Sequence, residues 1–341
     1  RYISMHSPAT IAITGGTGFV GRSIARSLAA RGRQLVLLAR GMDRSDPAIR
    51  SLAQGRFIPC GVDQPADLAE AFKGCDAVIH CAGINREIGE QTFRRVHVEG
   101  TANVIRASHE AGVRKIVLLS FLRARPHCDS PYHESKWEAE ELVRKSGLDY
   151  TILKCGVIYG RGDHMLNHLS RAFFTFPVFA LVGFSDKPIC PNAVEDVAQV
   201  VQSALNEPAL RCRTVSVIGP DELTLREAVR RVARVVGRKP LMFPMPIFFH
   251  YVLARLLECI MAVPMVSVAQ VRMLVEGLAK PAPACDPLPA KLAPKTHFTE
   301  QQIRKGLPPP RSFNFRDLVC CRNTDSRGKS GRSARVFFEM P

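Results

Sequence analysis

No C-x-x-C pair occurs among the eleven cysteines, their number is odd, and no Cys/His quartet has zinc-ligand spacing. That rejects a disulfide scaffold and a zinc module, and no metal is expected. Cys81 in AVIHCAG and Cys259 in LLECIMAV read as small hydrophobes of a reduced chain, which points to a cytoplasmic protein. No uncharged apolar run reaches the ~18–20 residues of a bilayer span. The most apolar stretch, Pro246 to Gly277, is interrupted by Arg255, Glu258, Pro264 and Arg272. It reads as two helices broken at Pro264, suited to core packing, to a homo-oligomer interface or to a peripheral membrane contact. Four residues precede Met5, and no basic stretch there leads into an apolar run, so no signal peptide is expected. Internal repeats are absent. So is any nucleic-acid recognition motif, and the charge is not concentrated as nucleic-acid binding requires. Lys and Arg exceed Asp and Glu by 22 to 16 in residues 1–160, 18 to 12 in 161–310 and 7 to 3 in 311–341; these excesses of 6, 6 and 4 make up the net +16. The partner expected is a small molecule, with no nucleic acid.

What remains is a chain of 341 residues, 46% of them hydrophobic, long enough to bury a large core without staples. Short β-branched runs alternate with helical patterns through its first half. Strands are expected at Ile11–Thr14, Gln34–Ala39, Arg56–Cys60, Ala77–Cys81, Lys115–Ser120 and Tyr150–Lys154. Helices are expected at Val20–Ala30, Ala66–Phe72, Thr92–Ala111 and Tyr132–Lys145. This is the pattern of an α/β fold with a doubly wound parallel sheet. Residues 1–160 are assigned to a dinucleotide-binding core. Residues 161–310 form a smaller, mainly helical substrate region that returns in part to the core. It holds helices at Glu195–Leu205 and Leu225–Val236, a strand at Thr214–Ile218, a proline-rich linker after Ala279 and a short helix after Thr299. Residues 311–341, rich in Ser, Gly and Arg, read as a disordered basic tail.

The first strand runs into TGGTGFVGR: Thr14, Gly15, Gly16, Thr17, Gly18, Phe19, Val20, Gly21 and Arg22. Glycines at 15, 18 and 21 suit a tight turn, backbone approach to a pyrophosphate and close helix–strand packing, with the helix N-terminus facing the phosphates. Residues 16–23 also approach the triphosphatase loop, but Arg22 stands where that loop requires Lys. NAD sites place a carboxylate about 20 residues beyond the glycines. Here the second strand ends in Arg40, with Arg44 beyond and Arg22 in the loop, which favours the 2′-phosphate of NADP(H) while leaving NAD(H) open. Val62 and Asp63 follow the third strand, where Asp63 can meet the adenine amine. Cys81, Ala82 and Gly83 end the fourth, small enough for a cofactor to cross.

SPYHESK places Tyr132 and Lys136 one helical turn apart, behind the cap candidate Ser130 and Pro131. A phenol with an ordinary pKa of about 10 is a poor acid–base group near neutrality, and a neighbouring ammonium is expected to bring it closer. From about Thr10 to Leu205 the chain resembles the extended and atypical short-chain dehydrogenase/reductases. The resemblance rests on the TGxxGxxG loop, Asp63, the Ala82–Gly83 pair, Tyr132/Lys136, and LKCGVIYGRGDH in the place of L-R-P-G-x-x-Y-G-x-G. Within that superfamily it is most similar to the branch of the NADPH-binding accessory subunit of respiratory complex I. The resemblance implies Tyr132 as acid/base, Lys136 as cofactor clamp, and backbone contact of Cys155, Gly156 and Val157 with the nicotinamide amide. Three departures stand out. Phe121 occupies the place of the substrate-orienting hydroxyl; Ser120, the remaining catalytic candidate, lies one residue early, where strand alternation points it away. Cys155 replaces a proline, and His97 stands where extended members carry Asn.

The implied activity is hydride transfer between NADP(H) and a carbonyl or alcohol. The aromatic stretch 172–184 suggests an apolar substrate, and His164 and His168, one turn apart, read as pocket or surface residues. Epimerisation or dehydration of a sugar nucleotide remains open, as does a non-catalytic NADPH-binding scaffold or redox sensor of a membrane complex.

Overall fold

The computed structural model describes residues 9–40, 47–52, 54–261, 264–313 and 317. Arg44 and almost all of the tail expected at 311–341 lie outside the described residues. The strands are β1 (Thr10–Thr14), β2 (Gln34–Ala39), β3 (Gly55–Pro59), β4 (Ala77–His80), β5 (Lys115–Phe121), β6 (Asp149–Cys155), β7 (Ile158–Tyr159), β8 (Val178–Val182), β9 (Pro188–Ile189), β10 (Asn192–Ala193), β11 (Arg213–Val217), β12 (Leu223–Thr224), β13 (Leu241–Met245) and β14 (Asp286–Pro287). The helices are α1 (Phe19–Ala29), α2 (Pro65–Phe72), α3 (Gly100–Glu110), α4 (Pro131–Arg144), α5 (His164–Thr175), α6 (Val194–Asn206), α7 (Leu225–Val236), α8 (Ile247–Ile260), α9 (Val268–Glu276) and α10 (Glu300–Gly306).

Eight strands form one parallel sheet in the order β14-β11-β6-β5-β4-β1-β2-β3. The fold is a doubly wound Rossmann sheet, and the strand order reverses between β1 and β4. That reversal opens a crevice beyond the strand ends, where such sheets bind ligands. β4 and β5 are buried along their whole length, as parallel strands covered on both faces must be. α1 and α6 pack together over one face, and their residues share a core with Ile11, Ile13 and Val215. Leu68, Val104 and Val143, from α2, α3 and α4, cover Ala12, Val78 and Ile116 on the other face.

Two expectations are corrected. The stretch 92–111 is not one α-helix, because a π-helical turn at Arg94–Glu99 precedes α3. The proline-rich stretch is more than a linker: β14 adds an edge strand beside β11, pairing Val215 with Asp286. Proline suits that edge, where no further ladder partner needs its missing N–H.

The helical cover is pinned to the sheet by charge. Glu276, at the end of α9, accepts hydrogen bonds from Arg123 (3.1 Å) and Arg125 (two, each 2.8 Å) in the loop after β5. Arg272 donates to the carbonyls of Cys128 and Asp129 in the same loop. Burial alone would raise the Glu276 carboxyl, but the hydrogen bonds from Arg125 and Arg123 hold it down at about 2. A depressed folded-state value stabilises above the ordinary carboxylate pKa of 4.5, and the contribution is lost as pH falls towards 2. Glu276→Gln is expected to cost roughly 1–3 kcal/mol at neutral pH. Thermal melts should show the gap between wild type and variant closing as the pH is lowered through that window; a gap independent of pH contradicts the clamp.

Candidate active site

β1 leaves the sheet at Thr14 and turns at Gly15, whose φ of +68° only glycine adopts without strain. A Cβ on Gly15 would come within 2.9 Å of the Ala82 backbone nitrogen, and one on Gly21 within 2.2 Å of the Gly15 carbonyl oxygen. The turn, the start of α1 and the end of β4 therefore meet backbone to backbone. The Gly16 N–H is spent on the Leu38 carbonyl (3.0 Å), fastening the turn to β2. Gly18 precedes α1 as its capping residue and offers no side-chain cap, and no carboxylate stands in the first turn of the helix. Its first intrahelical bond runs from the Arg22 N–H to the Gly18 carbonyl (2.9 Å), which leaves the N–H groups of Phe19, Val20 and Gly21 without a helical acceptor. A helix end lacking its own cap, reached through side-chain-free backbone, fits a pyrophosphate.

Phe19, Val20 and Gly21 all line a cavity of about 890 Å³, at the upper end of the ~300–1,000 Å³ usual for ligand pockets. Of the residues expected to bind cofactor, Thr14, Gly15, Thr17, Gly18, Arg40, Val62, Cys81, Ala82, Gly83, Cys155, Gly156 and Val157 line it as well. So do Tyr132, Lys136 and Ser120. Gly16, Arg22 and Asp63 do not. Arg22 is the clearest correction. Its guanidinium lies against Gly162 and donates to the Arg161 carbonyl (3.2 Å) instead of joining Arg40 at the β2 tip. Arg40 and Asp63 flank Gly61, where an added Cβ would lie 2.9 Å from the Arg40 Cγ and 2.2 Å from an Asp63 carboxylate oxygen. Burial lowers the pKa of Arg40, and the charge of Asp63 opposes that shift.

Tyr132 is ringed by Phe93, Phe121, His97 and His133, with centroids 5.4–5.8 Å away. Burial pushes its phenol above the ordinary value of 10.0, so the downward pull expected from Lys136 does not prevail. Lys136 reaches the Leu119 carbonyl (3.4 Å), and its ammonium stands 3.1 Å from where a Gly83 Cβ would be. Burial lowers its pKa, opposed by Cys81, Glu140 and Cys155.

A buried polar chain behind the pair escaped sequence reasoning. His97 Nε2 accepts from the Ile84 N–H (3.0 Å), so its proton is on Nδ1, which donates to Ser135 Oγ (2.9 Å). Ser135 in turn donates to the Tyr132 carbonyl (3.0 Å). Burial, followed by the charge of Lys136, keeps His97 neutral. His80 is held down to about 3, mainly by burial. It accepts from the Thr14 hydroxyl (2.6 Å) and donates to Thr101 Oγ (3.0 Å), which itself donates to the His97 carbonyl. Ser120 is turned as strand alternation required. Its hydroxyl donates to buried Glu140 (2.5 Å), which also holds Arg144 (2.6 Å) and Lys154 (3.4 Å). The catalytic expectation for Ser120 is corrected accordingly: its hydroxyl is committed to a buried charge network.

Beyond Tyr132 the cavity is walled by Met165 and Leu169 of α5, Phe179 of β8, Val229 of α7, Leu253 and Leu257 of α8 and Met273 of α9. His164, His168, His250 and Gln270 are among the polar residues lining it, as is Asp163 just before α5, and the rings of His164 and His168 lie 3.8 Å apart, tilted by 35°. α5 was not expected, although Met165, Leu166, Leu169, Ala172 and Phe173 recur at helical spacing in the sequence.

A Rossmann sheet with a glycine turn, an uncapped helix start and a Tyr/Lys pair on one cavity is the arrangement of a dinucleotide-binding protein of short-chain dehydrogenase/reductase type. The profile of an NAD(P)H-binding family matches residues 15–172. The ceramide reductase of Caulobacter vibrioides is 32% identical over 237 residues, covering 69% of this chain and 73% of that protein. The mouse mitochondrial NADH dehydrogenase [ubiquinone] 1 alpha subcomplex subunit 9 is 27% identical over 70% of this chain, which spans 64% of that subunit. Among solved structures, the UDP-glucuronic acid 4-epimerase of Bacillus cereus, in complex with UDP-glucuronic acid and NAD, superposes with a TM-score of 0.65. It covers 87% of this chain and 97% of its own at 14% identity, a likeness of fold. The chain belongs to the NAD(P)-binding Rossmann family of extended and atypical short-chain dehydrogenase/reductases.

Gly21→Ala tests the close approach. Its Cβ has no room against the Gly15 carbonyl, so calorimetric titration with NADPH should show affinity reduced at least tenfold, about 1.4 kcal/mol. Unchanged affinity would mean the turn does not hold the nucleotide.

Proposed function

We propose that the protein is an NADP(H)-dependent oxidoreductase that reduces a carbonyl on a lipid-like, largely apolar substrate. The observation that carries this reading is one continuous cavity, running from the glycine turn past Tyr132 and Lys136 into a chamber walled by aliphatic and aromatic side chains. The ceramide reductase relative supports a long-chain substrate class. A sugar nucleotide, the ligand of the epimerase neighbour, would leave its hydroxyls facing those walls with few partners.

The diphosphate would rest on the Phe19–Gly21 amides, the adenosine near Val62 and Asp63, and the nicotinamide against Cys155, Gly156 and Val157. When bound, the cofactor supplies the hydride. Tyr132 donates a proton to the carbonyl oxygen. Its phenol, raised by burial, is protonated at neutral pH and suited to act as an acid. Lys136, packed against Gly83, clamps the cofactor and supplies positive charge beside the phenol. The preference for NADP(H) over NAD(H) falls to Arg40, the remaining guanidinium at the β2 tip among the described residues.

Tyr132→Phe should lower turnover by a factor of ~10²–10⁴. NADPH affinity, read by calorimetry, should change little; substantial turnover in the variant would remove Tyr132 from the chemistry. Reduction should stay flat across neutral pH, whereas oxidation of the alcohol, which needs phenolate, should rise with alkaline pH. Arg40→Asp should erase or invert a several-fold preference for NADPH over NADH. Equal affinities in the wild type would dismiss the 2′-phosphate argument. Tight NADPH binding with no turnover, unchanged by Tyr132→Phe, would favour a binding scaffold.

A further inference from the structure

We propose that the outer face of α8, with the adjoining β8–β13 edge, docks on an anionic phospholipid bilayer and opens the cavity towards it. Among the described residues, all twelve exposed large apolar side chains fall between residues 176 and 260. They lie on α8, on the paired strands β8 and β13, or beside those strands; Phe248 is 70% exposed, Phe184 74% and Leu241 69%.

α8 buries one stripe, His250, Ala254 and Leu257, against the protein. Phe248, Phe249, Val252 and Leu256 emerge on the opposite side. A surface helix apolar on both faces needs a second apolar partner. With 14 residues, α8 is about 21 Å long and cannot cross a bilayer. No described helix is long and apolar enough to do so. Lying in the interface is the remaining membrane geometry.

Charge selects the occupant. Lys187, Arg238, Lys239 and Arg255 are exposed on the segments 176–187 and 237–261. The two carboxylates there are engaged, Asp186 with Arg226 (3.4 Å) and Glu258 with the Val268 N–H (3.0 Å). A basic rim around an apolar face complements anionic headgroups above acyl chains. The cavity also reaches this face, since Phe176, Val178, Phe243 and Leu253 are exposed and line it at once. Docking stands apart from the reductase reading; entry of a lipid substrate from the bilayer rests on it.

Sedimentation of the full chain with vesicles tests docking without cofactor or substrate. The protein should bind vesicles of phosphatidylcholine containing about one third phosphatidylglycerol at least fivefold more tightly than pure phosphatidylcholine, and salt should weaken that binding. Phe248→Asp with Leu256→Asp, both off the cavity wall, should lose at least tenfold of the binding. An NADPH titration matching wild type would show that this variant is folded. No association with either vesicle, or binding that survives in the variant, overturns the proposal. So does a wild-type dimer that the variant converts to monomer, which would make α8 an interface between two copies. If docking holds and Tyr132→Phe leaves turnover intact, the function reading fails and the surface stands.

Discussion

The structure depends on a contact that excludes side chains. β1, the turn after it, the first residues of α1 and the end of β4 converge so closely that Gly15 and Gly21 have no room for a methyl group. That proximity brings α1 to the crevice, where Phe19, Val20 and Gly21, whose amides have no helical acceptor, line the cavity. It also aligns the ends of β1 and β4 so that Gly83 lies under Lys136. A bulkier chain would hold the helix off, and the crevice would lose both its positive end and its depth.

Around that contact the protein has spent buried polar groups on rigidity. His80 ties the ends of β1 and β4 to α3, and His97 ties the residue after Gly83 to α4, both as neutral imidazoles whose two nitrogens are satisfied. Glu140 and Lys154 form an ion pair almost completely removed from water, and Lys154 also donates to the carbonyls of Ala124 and Ala282. A buried pair is weak evidence of net stability, but losing one partner leaves an uncompensated charge at a cost of roughly 3–5 kcal/mol. These bonds hold α4, and with it Tyr132 and Lys136, at a set distance from the strand ends.

What could be read from the chain was what is local. The glycine turn, the one-turn spacing of Tyr132 and Lys136, the apolar strands and the Thr299 cap are patterns within a few residues, and each element stands where its pattern placed it. What escaped depends on groups far apart in sequence. Ser120 meets Glu140 across twenty residues, and Arg22 turns to a carbonyl 139 residues on. The π-helical turn that presents His97 has no distinct spacing, and β14 becomes a strand because β11 offers it an edge. The apolar stretch from Pro246 to Gly277 was visible as two helices, but the direction its outer face takes is a property of the assembled fold.

If the turn between β1 and α1 holds the diphosphate of a pyridine nucleotide, the rest of the site is arranged around that nucleotide. A crystal structure of the protein soaked with NADPH tests this most directly. Density is expected for the diphosphate against the Phe19, Val20 and Gly21 amides, with the nicotinamide between Cys155–Val157 and the Tyr132 hydroxyl. A crevice that stays empty, or a nucleotide bound elsewhere, would contradict it.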